Sequence, residues 1–164
     1  MKKEVKHMVS KYFGEKEEGV KYKRREGVYA IMMNANGQIA TVKTPRGSFL
    51  PGGGIEAGED HFEALVREVK EEIGHEVEIG SALATYGQFL LGKKVPIYYE
   101  LIGTCYECRM GKDLGCKTEE DHELEWLEIN HISNKLVLEY QNYAIEEFLL
   151  KKNLYYLNDS LILD

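Results

Sequence analysis

The alternation of apolar and polar positions divides the chain into segments of two periods. GVYAIMMN, residues 27–34, is a nearly continuous apolar run of the kind a buried strand shows. NANGQ follows, with Asn36-Gly37 at the tip of a turn, and QIATVKT (38–44) predicts the return arm of a hairpin. PRGSFLPGGGIEAGED (45–60) holds five glycines and two prolines in sixteen residues and predicts a loop. The period then changes. Phe62, Leu65, Val66, Val69 and Ile73 fall on one helical stripe. Asp60 is placed to cap that helix with Glu63 completing a capping box, and Gly74 is placed to stop it.

Downstream, 76–91 and 94–106 predict strands, 107–122 is polar and loop-like, and ELEWLEI (123–129) predicts a short strand. A last amphipathic helix is expected over about 132–152. The apolar tail LYYLNDSLILD suits a small hairpin or a subunit contact, so a homodimer is an expectation. Residues 1–19 are polar and suit a short helix or a loose arm. Strands with one helix in the middle and one at the end predict an α/β sandwich. There is no internal repeat, and 164 residues suffice for one domain with its own core. We divide it into an N-terminal extension (1–26), a central unit (27–130) and a C-terminal helix and tail (131–164).

Composition narrows the function. Hydrophobic residues make up 43% and charged residues 30%, as in ordinary globular proteins. A net charge of −7 argues against binding a nucleic-acid polymer, which needs a basic stripe. It does not argue against a small anionic substrate, because a bound cation reverses the local field. No run of eighteen apolar residues exists, so neither a membrane span nor a membrane partner is expected. The lysine-containing start lacks an apolar signal core, so a cytoplasmic location is expected. Cys105, Cys108 and Cys116 with His122 would make up a zinc set. Residues three apart on a strand point to opposite faces, however, and incidental reduced thiols are the better reading.

The helix carries the chemistry. Glu68, Glu71 and Glu72 stand at i, i+3 and i+4, roughly 100–140° from the apolar stripe, and repel one another. Taken alone, such a cluster suits a solvated face as well as a metal site. The loop LPGGGIEAGE ahead of it supplies glycines that allow close backbone approach, and carboxylates with a carbonyl suit Mg²⁺ or Mn²⁺.

The stretch GGIEAGEDHFEALVREVKEEIGH resembles the box of the Nudix (MutT-like) hydrolases. Gly53, Glu59, Arg67, Glu68, Val69, Glu71, Glu72 and Gly74 all match, and His75 departs, where the family has an aliphatic residue. The resemblance implies a Nudix-type α/β/α sandwich with a mixed sheet. It also implies Mg²⁺- or Mn²⁺-dependent hydrolysis of a small-molecule nucleoside diphosphate derivative, such as a nucleoside triphosphate or nucleotide sugar. It makes Glu68, Glu72, Glu71 and the Gly52 carbonyl metal ligands, and Arg67 and Glu59 a pair fixing the loop to the helix. The general base is a box glutamate such as Glu71, or one of Glu119, Glu120 and Glu123 on the loop before the last core strand. Lys43 and Arg46 are candidates to meet phosphates, as are Arg24 and Arg25. Tyr86 and Phe89, with Tyr98 and Tyr99, are candidates to stack a base, against a core role. The markers of ADP-ribose and dinucleoside polyphosphate hydrolases are absent beyond the box, where Leu91, Gly92 and Lys93 stand. The rival reading is a Nudix-fold module that binds a nucleotide without cleaving it.

Overall fold

A computed structural model describes residues 7–132 and 134–161, with side chains to residue 152. Among the described residues the elements run β1 (Val9–Phe13), β2 (Lys23–Met32), β3 (Gln38–Thr44), β4 (Gly47–Phe49) and β5 (Gly52–Gly54), then α1 (His61–Ile73). After it come β6 (His75–Leu91), β7 (Tyr98–Asp113), β8 (Glu123–Glu128), α2 (Ile129–Ile132) and α3 (Glu139–Leu161). One sheet has the order β1-β6-β7-β2-β5, and it is mixed: β1 lies parallel to β6 and β2 to β7, with the other pairs antiparallel. A second, antiparallel sheet has the order β4-β3-β8.

The two-residue period of β2 turns its apolar run into two cores. Val28, Ala30 and Met32 pack with Ala64, Leu65, Val69 and Ile73 of α1. Ile31, with the partly buried Tyr29, packs with Tyr140, Ala144, Ile145 and Phe148 of α3. The α/β sandwich expected from the sequence is therefore formed, with a helix on each face of the mixed sheet. Leu65 is fully buried, and its truncation to Ala would cost about 2–5 kcal/mol. No helix among the described residues is long and apolar enough to cross a membrane.

α1 is bounded as expected. Asp60 accepts from the Glu63 amide at 2.8 Å, the Glu63 carboxylate accepts from the Asp60 amide at 2.9 Å, and Gly74 closes the helix at φ 67°. His75 opens β6 opposite Asp113, with its ring nitrogen 3.2 Å from the Gly111 carbonyl oxygen.

Several local expectations are corrected. β2 and β3 are not a paired hairpin: beyond the turn and one bridge, Met33 to Ile39, they enter different sheets. The glycine loop contains two short strands, β4 and β5. Residues 107–113 belong to β7, because β6 is long enough to pair with them as far as His75. Part of the supposed N-terminal helix or arm is β1, paired with Thr85–Gln88 of β6. The C-terminal helix is two, α2 and α3, and α3 continues to Leu161 where a hairpin was expected. The tail's side chains from residue 153, and residues 162–164, lie outside the described residues, and so does the subunit contact expected of them.

Candidate active site

β5 brings backbone up to the carboxylates of α1. Gly52, Gly53 and Gly54 pair with Tyr29, Val28 and Gly27 of β2. Gly52 has φ +142°, and a Cβ there would sit 2.0 Å from the Val28 carbonyl oxygen, so only glycine fits. A Cβ on Gly53 would lie 2.6 Å from the Glu68 carboxyl carbon. The Gly52 amide donates to Glu72 Oε1 at 2.8 Å. Three side-chain-free residues thus let a strand edge meet a helix across a pair of glutamates.

Arg67 organises the outer side of this contact. Its Nε and Nη2 donate to Glu59 at 2.5 and 2.9 Å, a bidentate fork. Its Nη1 donates to Glu68 at 2.9 Å and Glu71 at 3.2 Å, and its Nη2 also reaches the Gly54 carbonyl at 3.0 Å. The Glu59 carboxylate also accepts from the Glu56 amide at 2.9 Å. The Arg67 guanidinium holds the Glu59 carboxyl down at about 2, and Glu59 in turn raises Arg67. One side chain therefore ties the loop, the glycine strand and two box carboxylates together.

Glu72 stands apart from that network. It is 6% exposed, and burial pushes its carboxyl up to about 8. The Gly52 amide lowers it, while the charges of Glu68, Glu119 and Glu71 raise it further. Glu68 is also raised, by burial first, against the pull of Arg67. Two neighbouring carboxylates are thus raised by burial, and only Glu68 has an arginine against it; a hard divalent cation with oxygen ligands fits the remaining deficit. The loop before β8 closes the far side, because the Thr118 and Glu119 amides donate to the Glu71 carbonyl at 3.1 and 2.9 Å. His122 directs Nε2 to within 3.7 Å of Glu72, and its Nδ1 lies 2.8 Å from Asp121. Ligand atoms of Glu119, Asp121 and His122 lie within 4.8 Å of one another. Glu72 and His122 both line a cleft of about 930 Å³ running outward between the two sheets.

A family model for the NUDIX domain matches residues 23–148 of the chain. The chain belongs to the Nudix family. Solved structures agree with that fold. A Nudix hydrolase from Nitrosomonas europaea superposes with a TM-score of 0.66 at 21% identity, over 79% of this chain and 91% of the other. A MutT protein from Methanosarcina mazei Go1 gives 0.64 at 19% identity, over 82% and 99%. An RNA pyrophosphohydrolase from Rhodospirillum rubrum is 43% identical over 53 residues, 30% of this chain. The match spans only 32% of that relative's length.

The structure gathers most of the Nudix box as the spacing suggested, with one shift. Glu72 is not on the solvent side of α1 with Glu68 and Glu71; it is buried alongside Ala64, Leu65, Val69 and Ile73. Phe62 and Val66, expected in the apolar stripe, are 54% and 46% exposed. Of the three loop glutamates, Glu119 is the one whose charge bears on Glu68 and Glu72. Glu120 is exposed on the same loop, and Glu123 is exposed where β8 begins, opposite Lys43.

The substrate residues divide. Arg46 lines the cleft, with its guanidinium 5.7 Å from the Phe49 ring centroid. Arg25 and Tyr99 line it too, while Tyr86, Phe89, Lys43, Arg24 and Tyr98 do not. Tyr86 is 2% exposed in the core with Tyr140 and Tyr143, which leaves no free face for a base. Phe89 stacks on Tyr12 at 5.0 Å, covered by the N-terminal segment. Lys43 is exposed on β3 opposite Ser48 and Glu123. Cys105 packs in the α3 core and Cys108 against the α1 core, so they cannot share one zinc ion. Sequence reasoning gave His122 only to that zinc set; its place next to Asp121, one residue before β8, was the signal for a site role.

Proposed function

We propose that this chain hydrolyses the diphosphate bond of a nucleoside diphosphate derivative, of the nucleoside triphosphate or nucleotide-sugar kind. Mg²⁺ or Mn²⁺ would be held by Glu68, Glu72, Glu71 and the Gly52 carbonyl. The observation that carries this reading is Glu72: a buried carboxylate lining a large cleft, crowded by Glu68 and Glu119, with no Lys or Arg ion pair among the described side chains and only the His122 ring, at 3.7 Å, as a basic neighbour. When bound, the metal supplies neutralisation of the diphosphate charge and acidifies a water molecule. Glu68 and Glu72 bind, and the Gly52 amide keeps Glu72 turned to the cleft. Arg67 and Glu59 position the loop and act on the reaction only through the carboxylates they hold. Glu71 remains a candidate base within the box. On the loop, Glu119, Glu120 and Glu123 are candidates to take the proton from water. The influence of Glu119 on both Glu68 and Glu72 puts it ahead of the other two. Arg46, on the cleft wall, is suited to a phosphate oxygen.

Retention of Glu59, Glu68, Glu71 and Glu72 favours hydrolysis over the non-catalytic binding module. The test is product release from a panel of nucleoside diphosphate derivatives with Mg²⁺ or Mn²⁺. Glu72→Gln is expected to lower turnover at least about a hundredfold, since metal-held charge stabilisation is worth several kcal/mol. Near-normal turnover in that variant refutes the metal assignment.

A further inference from the structure

The end of the cleft away from Glu72 holds charge beyond the metal ligands and Arg46 assigned to the diphosphate, including Arg25, which the sequence offered only as a general phosphate candidate. Arg25, Lys93 and Lys94 line it, and among the described residues none of the three makes an ion pair. The carboxylates nearby are already engaged: Arg24 contacts Glu26 at 3.3 Å and Glu100 at 3.6 Å. Three unpaired cations converge in a chain whose net charge is −7. Arg25 and the backbone of the lysine turn are also held in place. The Arg25 guanidinium lies 4.9 Å from the Tyr99 ring centroid. The turn carrying Lys93 and Lys94 is closed by Gly92 N–H to the Ile97 carbonyl at 2.8 Å and Ile97 N–H to the Val95 carbonyl at 2.7 Å. Gly92 lies so close that a Cβ there would be 3.0 Å from the Tyr99 ring. Tyr99 thus touches both the turn and the guanidinium.

Distance separates this cluster from the metal-holding carboxylates. Tyr29 pairs with Gly52, whose amide binds Glu72, and on its other side with Cys105. Arg25 lies four residues before Tyr29 on β2, roughly 13 Å along the strand, and Tyr99 lies six residues before Cys105 on β7, roughly 20 Å along its strand. The two phosphoryl groups of one diphosphate span neither length.

We propose that the outer end of the cleft is a second phosphate subsite, so that the preferred substrate carries a phosphoryl group besides its scissile diphosphate, on the moiety remote from Glu72. Arg25, Lys93 and Lys94 hold that group, and Tyr99 fixes Arg25. The proposal rests on the hydrolase reading for what sits at Glu72, but binding tests it separately from turnover.

Two matched pairs serve as probes, NADP⁺ with NAD⁺ and coenzyme A with dephospho-coenzyme A, because each differs by one ribose phosphate. Affinities are measured by titration calorimetry at low salt, with Ca²⁺ in place of Mg²⁺. In at least one pair the phosphorylated member is expected to bind at least about tenfold more tightly, with the ratio shrinking as salt rises. In Lys93→Gln/Lys94→Gln and in Arg25→Gln, all at exposed positions, that ratio is expected to fall to within about twofold. Equal affinity within both pairs, no binding of either, or a preference that survives in both variants overturns the subsite. A 5′-triphosphorylated RNA held by the same lysines, without preference within either pair, also overturns it. A preference within a pair, together with no hydrolysis of any diphosphate, sustains the subsite and refutes the hydrolase reading. Hydrolysis with equal affinities does the reverse.

Discussion

Replacing Glu72 by Gln removes one charge and keeps the shape, and the buried setting makes two opposite consequences predictable. In the metal-free protein the carboxyl is raised from 4.5 to about 8 by burial. A raised carboxyl destabilises the folded state progressively as pH climbs from its unfolded value towards its folded one, and the loss is complete above about 8. At pH 7 it lies about 2.5 units along that range, and at 1.36 kcal/mol per unit the ionised unfolded state is favoured by about 3 kcal/mol. Glutamine carries no such penalty and can still accept from the Gly52 amide through its own oxygen. For a chain of this length, about 3 kcal/mol corresponds to roughly 6–12 °C in Tm. Thermal unfolding in EDTA is therefore expected to show Glu72→Gln more stable than wild type by about that margin at pH 7. The margin is expected to be widest above pH 8 and small near pH 5. Mg²⁺ is expected to raise the wild-type Tm and leave the variant nearly unmoved, because the cation relieves a charge that the variant lacks. A variant no more stable than wild type at pH 7, or one whose margin does not change with pH, refutes this account of Glu72.

Arg67→Lys is expected to lower turnover about tenfold or more without loss of the fold, because an ammonium cannot make the two-pronged contact with Glu59 while reaching Glu68 and Glu71; steady-state rates with circular dichroism check it. Among Glu119→Gln, Glu120→Gln and Glu123→Gln, the first is expected to reduce kcat most, and a larger loss in either of the others removes Glu119 as the leading loop base. Gly52→Ala is expected to abolish soluble expression or cost several kcal/mol, since its Cβ would meet the Val28 carbonyl. Gly37→Ala, at φ +74° with open space around it, is expected to cost only about 1 kcal/mol, which chemical denaturation can compare. Light scattering on the full chain decides the dimer expected from the tail, and a monomer refutes it.

What was legible in the sequence was local. The ends of α1 could be read to the residue because a capping box and a left-handed glycine act within one turn of the chain. Strand partners could not, since periodicity gives a strand's faces and not its neighbours. QIATVKT looked like the partner of GVYAIMMN because the turn between them is good, yet β2 is flanked by β7 and β5 and β3 by β8 and β4. The polar residues 107–113 read as loop because nothing nearby in the chain announces a partner; their partner is the start of β6, between 29 (Ile79 to Cys108) and 38 (His75 to Asp113) residues earlier.

The site divides along the same line. Its inner half lies within one loop-helix unit, so fixed spacing alone places Glu59, Arg67, Glu68 and the glycines. Even there, the stripe miscounts the buried positions: Glu72 falls in the carboxylate cluster off the stripe, though it is buried beside the glycine strand, and Val66 falls in the stripe, though it faces solvent. A carboxylate that a helix buries against bare backbone is an unfavourable arrangement unless a cation completes it. That makes the apparent error in the stripe the more informative signal of function. The loop before β8 joins the inner half only through long-range contacts with α1, and the outer half is assembled from β2 and the β6–β7 turn; none of these share a spacing in sequence. Arg25 and Lys93 had no reason to be read together until the register of β2 against β7 set Tyr99 beneath a guanidinium. The proposed reaction class therefore rests on contiguous residues, and the proposed substrate preference on long-range strand pairing.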